Sequence, residues 1–444
     1  MKTRTISRSN QVSISNRILR VCLGLIVAST MAMLATAASA QTGEPIKIGS
    51  SLPLTGGKSV NGEKHRKGFV TWAEMVNEKG GLLGRPVELI VSDNRSDVAT
   101  AIAQYERFIN VNKVDLVFGT FSSGLTHPVS SIINKYKMVL PVPSGGSLKI
   151  WTQGFRHIFY FQQNNAEYMG QSLTLLINER LSKAERPKTA AIVAAEDNVA
   201  NSITAGLMGL KIKNPGGGVI LDMAPGFLHG VGIKVVHHEK WPEEGFSDWL
   251  TVANNIKRSK AELVVGLTSS PEEAVQLMRA LQTVRAKPKM VYINQGTQIE
   301  YKESLGDYAE GSVHTGSWQP DVKWVGLIAG EKISSQDYQK IFLKRWGSQA
   351  DEDSCIPFAA AQGMEQAVRA TKSLDNLKIS EWLHARTKAD PVRTILGPFQ
   401  WDEWGVTKER SSLVLQWQGN KLNLVFPTDE FEGAKDFIYP KPAM

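Results

Sequence analysis

The chain has 444 residues, 42% of them hydrophobic and 21% charged, enough to bury the cores of two domains, and no stretch after residue 40 is long and apolar enough to span a bilayer. Its formal charge of +8 falls to +3 once the five basic residues among residues 1 to 40 are set aside, and no block of Lys or Arg follows, which argues against nucleic-acid or polybasic membrane binding. Of two cysteines only Cys355 lies beyond residue 40, so no internal disulfide is available and the fold must rest on its core.

Residues 1 to 40 read as an export signal. Lys2, Arg4, Arg8, Arg17 and Arg20 make a basic leader, Val21 to Leu34 an apolar segment, and Ala38-Ser39-Ala40 a cleavage site of the A-x-A kind. The mature protein is expected to begin at Gln41, in the periplasm. Cys22 lacks the small residues that precede a lipoprotein cysteine, so no lipid anchor is expected.

From there strands and helices alternate. Ile46 to Leu52 is a short apolar strand, and Gly62 to Glu78 has helical spacing through Phe69, Trp72, Met75 and Val76 before Gly80-Gly81 ends it. Val87 to Ser92, Val114 to Phe118 and Met138 to Val142 follow as strands, with helices at Asp97 to Asn110 and Thr126 to Lys135 between them. Such alternation indicates parallel βαβ units. The rhythm restarts with a helix at Glu167 to Leu181, a strand at Thr189 to Ala194 and helices at Ser202 to Lys213 and Asp248 to Ser259. A strand at Leu263 to Gly266, a helix at Pro271 to Thr283 and a strand at Val291 to Asn294 continue it, so a second α/β domain is expected. The glycine-rich stretch Gly216 to Gly245, with His237-His238, reads as a long surface excursion. A helix at Phe358 to Thr371, a strand pair around Pro398 to Trp401 and Ser412 to Gln418, and a proline-bearing tail from Phe426 over the surface complete the chain.

The stretch Val114 to Thr126 carries the most chemistry. An apolar strand stops at Gly119, and Ser122 and Ser123 lie where a helix begins, so free N–H groups, the positive end of the helix dipole and two hydroxyls converge on a position suited to an anion. An ordinary serine N-cap is the alternative. Leu54-Thr-Gly-Gly-Lys-Ser59 falls short of a P-loop because Leu52 stands where glycine is required, and no G-x-G-x-x-G opens a helix after the first strand. Gly119 to Gly124 has one residue too many for a nucleophile elbow, and His127 has no placed acid, so no catalytic residues are expected. His237-His238-Glu239 has metal-ligand residue types without ligand spacing; no metal or cofactor is expected. Trp151 and Trp318 fall in loops near the junction of the two domains and are candidates for lining a cleft.

Four stretches in order carry a family resemblance: Ile46 to Gly56 (IKIGSSLPLTG), Asn77 to Leu89 (NEKGGLLGRPVEL), Phe121 to Thr126 (FSSGLT) and Leu396 to Asp402 (LGPFQWD). Together they resemble the leucine/isoleucine/valine-binding proteins, the exported solute receptors of ABC importers, from about residue 45 to 425. The resemblance implies an α/β fold of two doubly wound parallel-sheet lobes joined by three crossover strands, closing on a ligand between them. Lobe 1 would comprise 45–163 and 318–397, lobe 2 would comprise 164–317 and 398–425, and 426–444 would be the tail. It also implies a small-molecule ligand, ABC permease subunits as partners and a monomer, with no nucleic acid. A ligand sensor signalling to a membrane receptor and an exported hydrolase are the alternatives.

Carried over residue by residue, the resemblance places a ligand carboxylate on Ser122 and Ser123 and on the loop Ser144, Gly145, Gly146 and Ser147, where Gly146 replaces a usual threonine. The opposing half departs from the pattern. Asn61 replaces a tyrosine, Val199 beside Asn198 replaces another, and Gln295 replaces the acid that pairs with an amino group. An ammonium buried without a carboxylate costs several kcal/mol or about that order, so a neutral amide, hydroxyl or second carbonyl is favoured opposite the serines, with Glu196 or Asp197 as the remaining source of negative charge.

Overall fold

The computed structural model describes residues 41–442 except 214–217, 244, 409–410, 429–430 and 432. Residues 1–40, read as the export signal, and Gly216 and Gly217 of the expected excursion lie outside the described residues.

Short apolar runs buried on both faces make parallel strands, and the intervening amphipathic segments cover them as helices. β1 (Ile46–Leu52), α1 (Ser59–Glu78), β2 (Val87–Asp93), α2 (Val98–Asn110), β3 (Leu116–Phe118) and α3 (Ser123–Lys135) form a parallel sheet of order β2-β1-β3. A 3.1 Å bond from the Gly119 N–H to the Pro141 carbonyl carries it on to the parallel pair β4 (Leu140–Val142) and β5 (Ile158–Tyr160).

The chain then crosses to a second sheet. α4 (Ala166–Arg180), β6 (Thr189–Ala195), α5 (Asn198–Met208), the hairpin β7 (Lys211–Lys213) and β8 (Val219–Asp222), and the single turn α6 (Phe227–Gly230) lead to β9 (Lys234–Trp241). α7 (Trp249–Ser259), β10 (Leu263–Leu267), α8 (Pro271–Thr283), β11 (Met290–Ile293), α9 (Ile299–Leu305) and β12 (Val313–Gly316) continue it.

A second crossing returns the chain to the hairpin β13 (Val325–Ile328) and β14 (Glu331–Ser334), then α10 (Ser335–Trp346), α11 (Glu352–Thr371), α12 (Asn376–His384) and the hairpin β15 (Val392–Thr394) and β16 (Gly397–Phe399). A third crossing brings in β17 (Leu413–Gln418) and β18 (Lys421–Phe426), giving a seven-stranded sheet of order β18-β17-β12-β11-β10-β6-β9.

Several sequence expectations need correction, among them the helix expected to run to Lys213, which ends at Met208 before Lys211–Lys213 forms strand β7. The stretch Gly216 to Gly245 is no surface excursion throughout: β9 runs parallel to β6 as the edge strand of the second sheet, with His237 and Glu239 on one face and 2.9 Å apart. Pro398 to Trp401 does not pair with Ser412 to Gln418; β16 pairs with β15, and Phe399 and Trp401 pack with Phe159 and Phe161 in the first lobe's core rather than opening the second. The described part of the tail is held in place by hydrogen bonds. Ile438 exchanges bonds with the Gln416 amide at 2.9 Å, and Lys441 Nζ donates to the carbonyls of Tyr308 (2.8 Å) and Glu310 (2.7 Å). Among the described residues no helix is long and apolar enough to cross a membrane.

α1 and α11 pack closely in the first lobe. At Gly68 of α1 a Cβ would stand 2.2 Å from the Ser354 carbonyl of α11, so only glycine lets the N-terminus of α11 approach this near. That approach fixes the position of the first turn of α11, Glu352 and Asp353.

Candidate ligand-binding site

A cavity of about 80 Å³ lies between the two sheets at the C-terminal ends of their strands. Ser122, Ser123, Ser144, Gly145, Gly146, Val199 and Gln295 line it together. Ser122 caps α3 through an Oγ that accepts from the Leu125 N–H (3.3 Å), and it does so at φ 74° and ψ 151°, a region of backbone space that costs a non-glycine residue about 1–3 kcal/mol. Ser123 Oγ accepts from the Ser147 N–H at 3.1 Å. Both hydroxyls keep their protons for another acceptor, at the positive end of a helix.

Three expected residues do not line the cavity. Ser147 turns its hydroxyl to Ser202 Oγ (2.8 Å) and Glu167 (3.3 Å). Asn198 sits at the start of α5 within van der Waals range of the Cβ position of Gly124 across the cleft. Asn61 is fully buried, and neither side-chain amide atom has a hydrogen-bond partner among the described residues. Neither tryptophan candidate lines this cavity: Trp151 packs on Tyr160 and donates to the Ile158 carbonyl at 3.0 Å, and Trp318 is buried in the first core. Nor are the alternative acids available. Glu196 is exposed, and Asp197 caps α5 and accepts from the Ser269 N–H and hydroxyl, both at 2.9 Å.

The structure brings in residues that pattern reading missed. Tyr160 Oη stands 2.6 Å from where a Cβ on Gly146 would be, so the phenol fills the space of the absent threonine and lines the cavity itself. Glu352 and Asp353 also line it. Acids are favoured in a helix's first turn, and Asp351 with Ser354 forms a capping box that brackets them, a signature visible in the sequence. Nothing in that signature says that the helix points into the cleft. Its consequence is that Glu352 and Asp353, rather than Glu196 or Asp197, supply the acidic groups of the cavity opposite the serines.

The electrostatics of this acidic turn are lopsided. Lys64 pairs with Asp351 (2.6 Å) and Glu300 (2.8 Å), but among the described residues no ion pair reaches Glu352 or Asp353. Glu352 instead accepts from Thr297 Oγ1 (2.5 Å) and the Ser317 N–H (2.8 Å), and Asp353 from Gln298 Nε2 (2.8 Å). Burial, reinforced by the Asp353 charge, pushes the Glu352 carboxyl up to about 8, and burial raises Asp353 despite the opposing charge of Lys64. The pair is therefore short of a cation. Ser122 and Ser123 accept from the N–H groups of Leu125 and Ser147, and among the described residues no hydrogen bond joins either hydroxyl to His127.

The sequence profile of the periplasmic binding proteins matches residues 45–421. An amino acid binding protein of Pseudomonas aeruginosa is 23% identical over 397 residues, 89% of this chain and 95% of that one. The branched-chain amino acid transporter substrate-binding protein of Streptococcus pneumoniae, solved with isoleucine, superposes with a TM-score of 0.69 at 15% identity, covering 85% of this chain and 98% of that one. An ABC transporter solute-binding protein of R. palustris, solved with benzoate, gives 0.70 at 15% identity, covering 90% and 98%. With its two lobes, its three crossings and a cavity at the strand ends between them, this chain belongs to the periplasmic binding protein family, on its leucine/isoleucine/valine-binding branch.

Proposed function

We propose that this protein captures a small zwitterionic amino acid between its lobes and delivers it to the permease of an ABC importer, changing no covalent bond. One observation carries the reading: a wall of hydroxyl donors at the N-terminus of α3 shares a cavity with two buried acidic groups, Glu352 and Asp353, that no ion pair reaches among the described residues. A ligand carboxylate on Ser122 and Ser123 and a ligand ammonium near Glu352 and Asp353 would satisfy both. The names of the amino acid-binding relatives support it. Capture would work by cleft closure, the ligand favouring the closed state because only there does it touch both lobes. Release to a membrane sensor instead of a permease would use the same closure.

The benzoate complex of the R. palustris protein motivates a second reading, in which an amine-free acid binds and Glu352 stays protonated. A thermal-shift panel decides between them, since ligands that bind only the native state raise its melting temperature. Amino acids should stabilise the protein more than the hydroxy acids and amides of the same skeleton. Equal or greater stabilisation by the amine-free acids would reject the zwitterion.

A further inference from the structure

Ser144 differs from Ser122 and Ser123 in where its proton goes. Its Oγ lies 2.9 Å from His65 Nε2 and accepts from Gln162 Nε2 at 3.2 Å. The Gln162 amide has no freedom to turn over, because Nε2 also donates to the Pro143 carbonyl (2.7 Å) while Oε1 accepts from the hydroxyls of Tyr160 (3.2 Å) and Ser317 (3.4 Å). On the other side of the imidazole, Nδ1 stands 2.9 Å from the Asn61 carbonyl. A carbonyl only accepts, so Nδ1 carries the hydrogen. The ring is fully buried with Phe121 edge-on at 5.2 Å, and burial holds its pKa down to about 4. A neutral imidazole protonated on Nδ1 has a bare Nε2, and Ser144 must give that nitrogen its only proton.

We propose that His65 is a positioning residue for ligand specificity: it takes the Ser144 proton and leaves Ser144 facing the cavity as a hydrogen-bond acceptor only, a contact for a ligand N–H that disfavours a carbonyl or carboxylate oxygen. The cavity then has a polarity. Ser122 and Ser123, which accept from backbone N–H groups, donate into it; Ser144, which donates to His65, accepts from it. A ligand bearing both an oxyanion and an N–H is oriented by that difference alone. The inference rests on the amino-acid reading for the identity of the ligand but not for the polarity of Ser144.

Two measurements test it. In protein labelled with 15N-histidine, with His65 identified by its loss in His65→Leu, the His65 Nε2 resonance is expected in the unprotonated range and Nδ1 in the N–H range; a protonated Nε2 overturns the proposal. Calorimetric titration then compares L-alanine with pyruvate, which replaces the ammonium by a carbonyl oxygen. Wild type should favour alanine by about tenfold or more, and His65→Leu, which returns the proton to Ser144, should narrow that ratio by about tenfold. An unchanged ratio in a folded His65→Leu protein overturns the proposal. If neither compound binds while Nε2 is bare, the polarity of Ser144 stands and the amino-acid reading falls.

Discussion

At the scale of single residues, the two poles of the cavity respond to different perturbations. Ser123→Ala removes a hydroxyl that donates from the start of α3 and leaves the backbone N–H groups in place, so a carboxylate-bearing ligand should bind about 1–3 kcal/mol more weakly by titration calorimetry, with the fold unchanged. An unaltered dissociation constant would place the anion elsewhere. Glu352 should report through pH. Its folded pKa is raised to about 8, so between the ordinary glutamate value and that point the folded protein holds a proton that the unfolded chain has released. The contribution of Glu352 to stability without ligand must fall as pH rises through that window. Between about pH 5 and about pH 8.5 the melting temperature of the wild type is expected to fall relative to that of Glu352→Gln, which cannot ionise. The two poles were unequally legible. The serines follow their own strand directly, so local pattern found them. Glu352 lies far along the chain from both Ser123 and Gln295 and reaches the cavity only through the packing of α11, which no local pattern encodes.

At the scale of elements, periodicity located most helices and buried strands because their apolar faces repeat at the spacing of the element itself. It failed at β9, whose sequence Lys-Val-Val-His-His-Glu-Lys-Trp places mainly polar side chains on an edge strand. Edge strands are charged because an apolar one invites further pairing, and that makes them resemble loops. The seating of α1 against α11 is the element contact on which the acidic pole depends. Gly68→Ala would force a methyl to within 2.2 Å of the Ser354 carbonyl. Moving the helices apart to relieve it should cost about 1–3 kcal/mol of stability in denaturant titrations. It should also weaken ligand binding, because Glu352 and Asp353 begin the displaced helix. Lost stability with full affinity would mean that the carboxylates do not contribute to capture.

At the scale of the whole molecule, three crossings could not be read from periodicity, which is blind to which sheet a strand joins; the order of the motifs along the chain supplied them. On the proposed mechanism, closure about those crossings would set how much of the ligand's binding energy appears as affinity, since the apparent constant scales with the fraction of protein in the competent state. Among the described residues, the ion pairs that span the lobes include Lys58 with Glu243 and Lys64 with Glu300, each at 2.8 Å. Glu243 and Glu300 are 40% and 49% exposed, so each pair is screened and contributes at most about 1 kcal/mol to the closed state. Removing one should therefore open part of the unliganded population without abolishing binding. In Lys58→Ala the loss of affinity is expected to stay within about fivefold. Small-angle scattering should show a larger radius of gyration than wild type before ligand is added and the same radius at saturation. Equal radii in both states, with wild-type affinity, would mean that the pair forms only after the ligand has already closed the cleft.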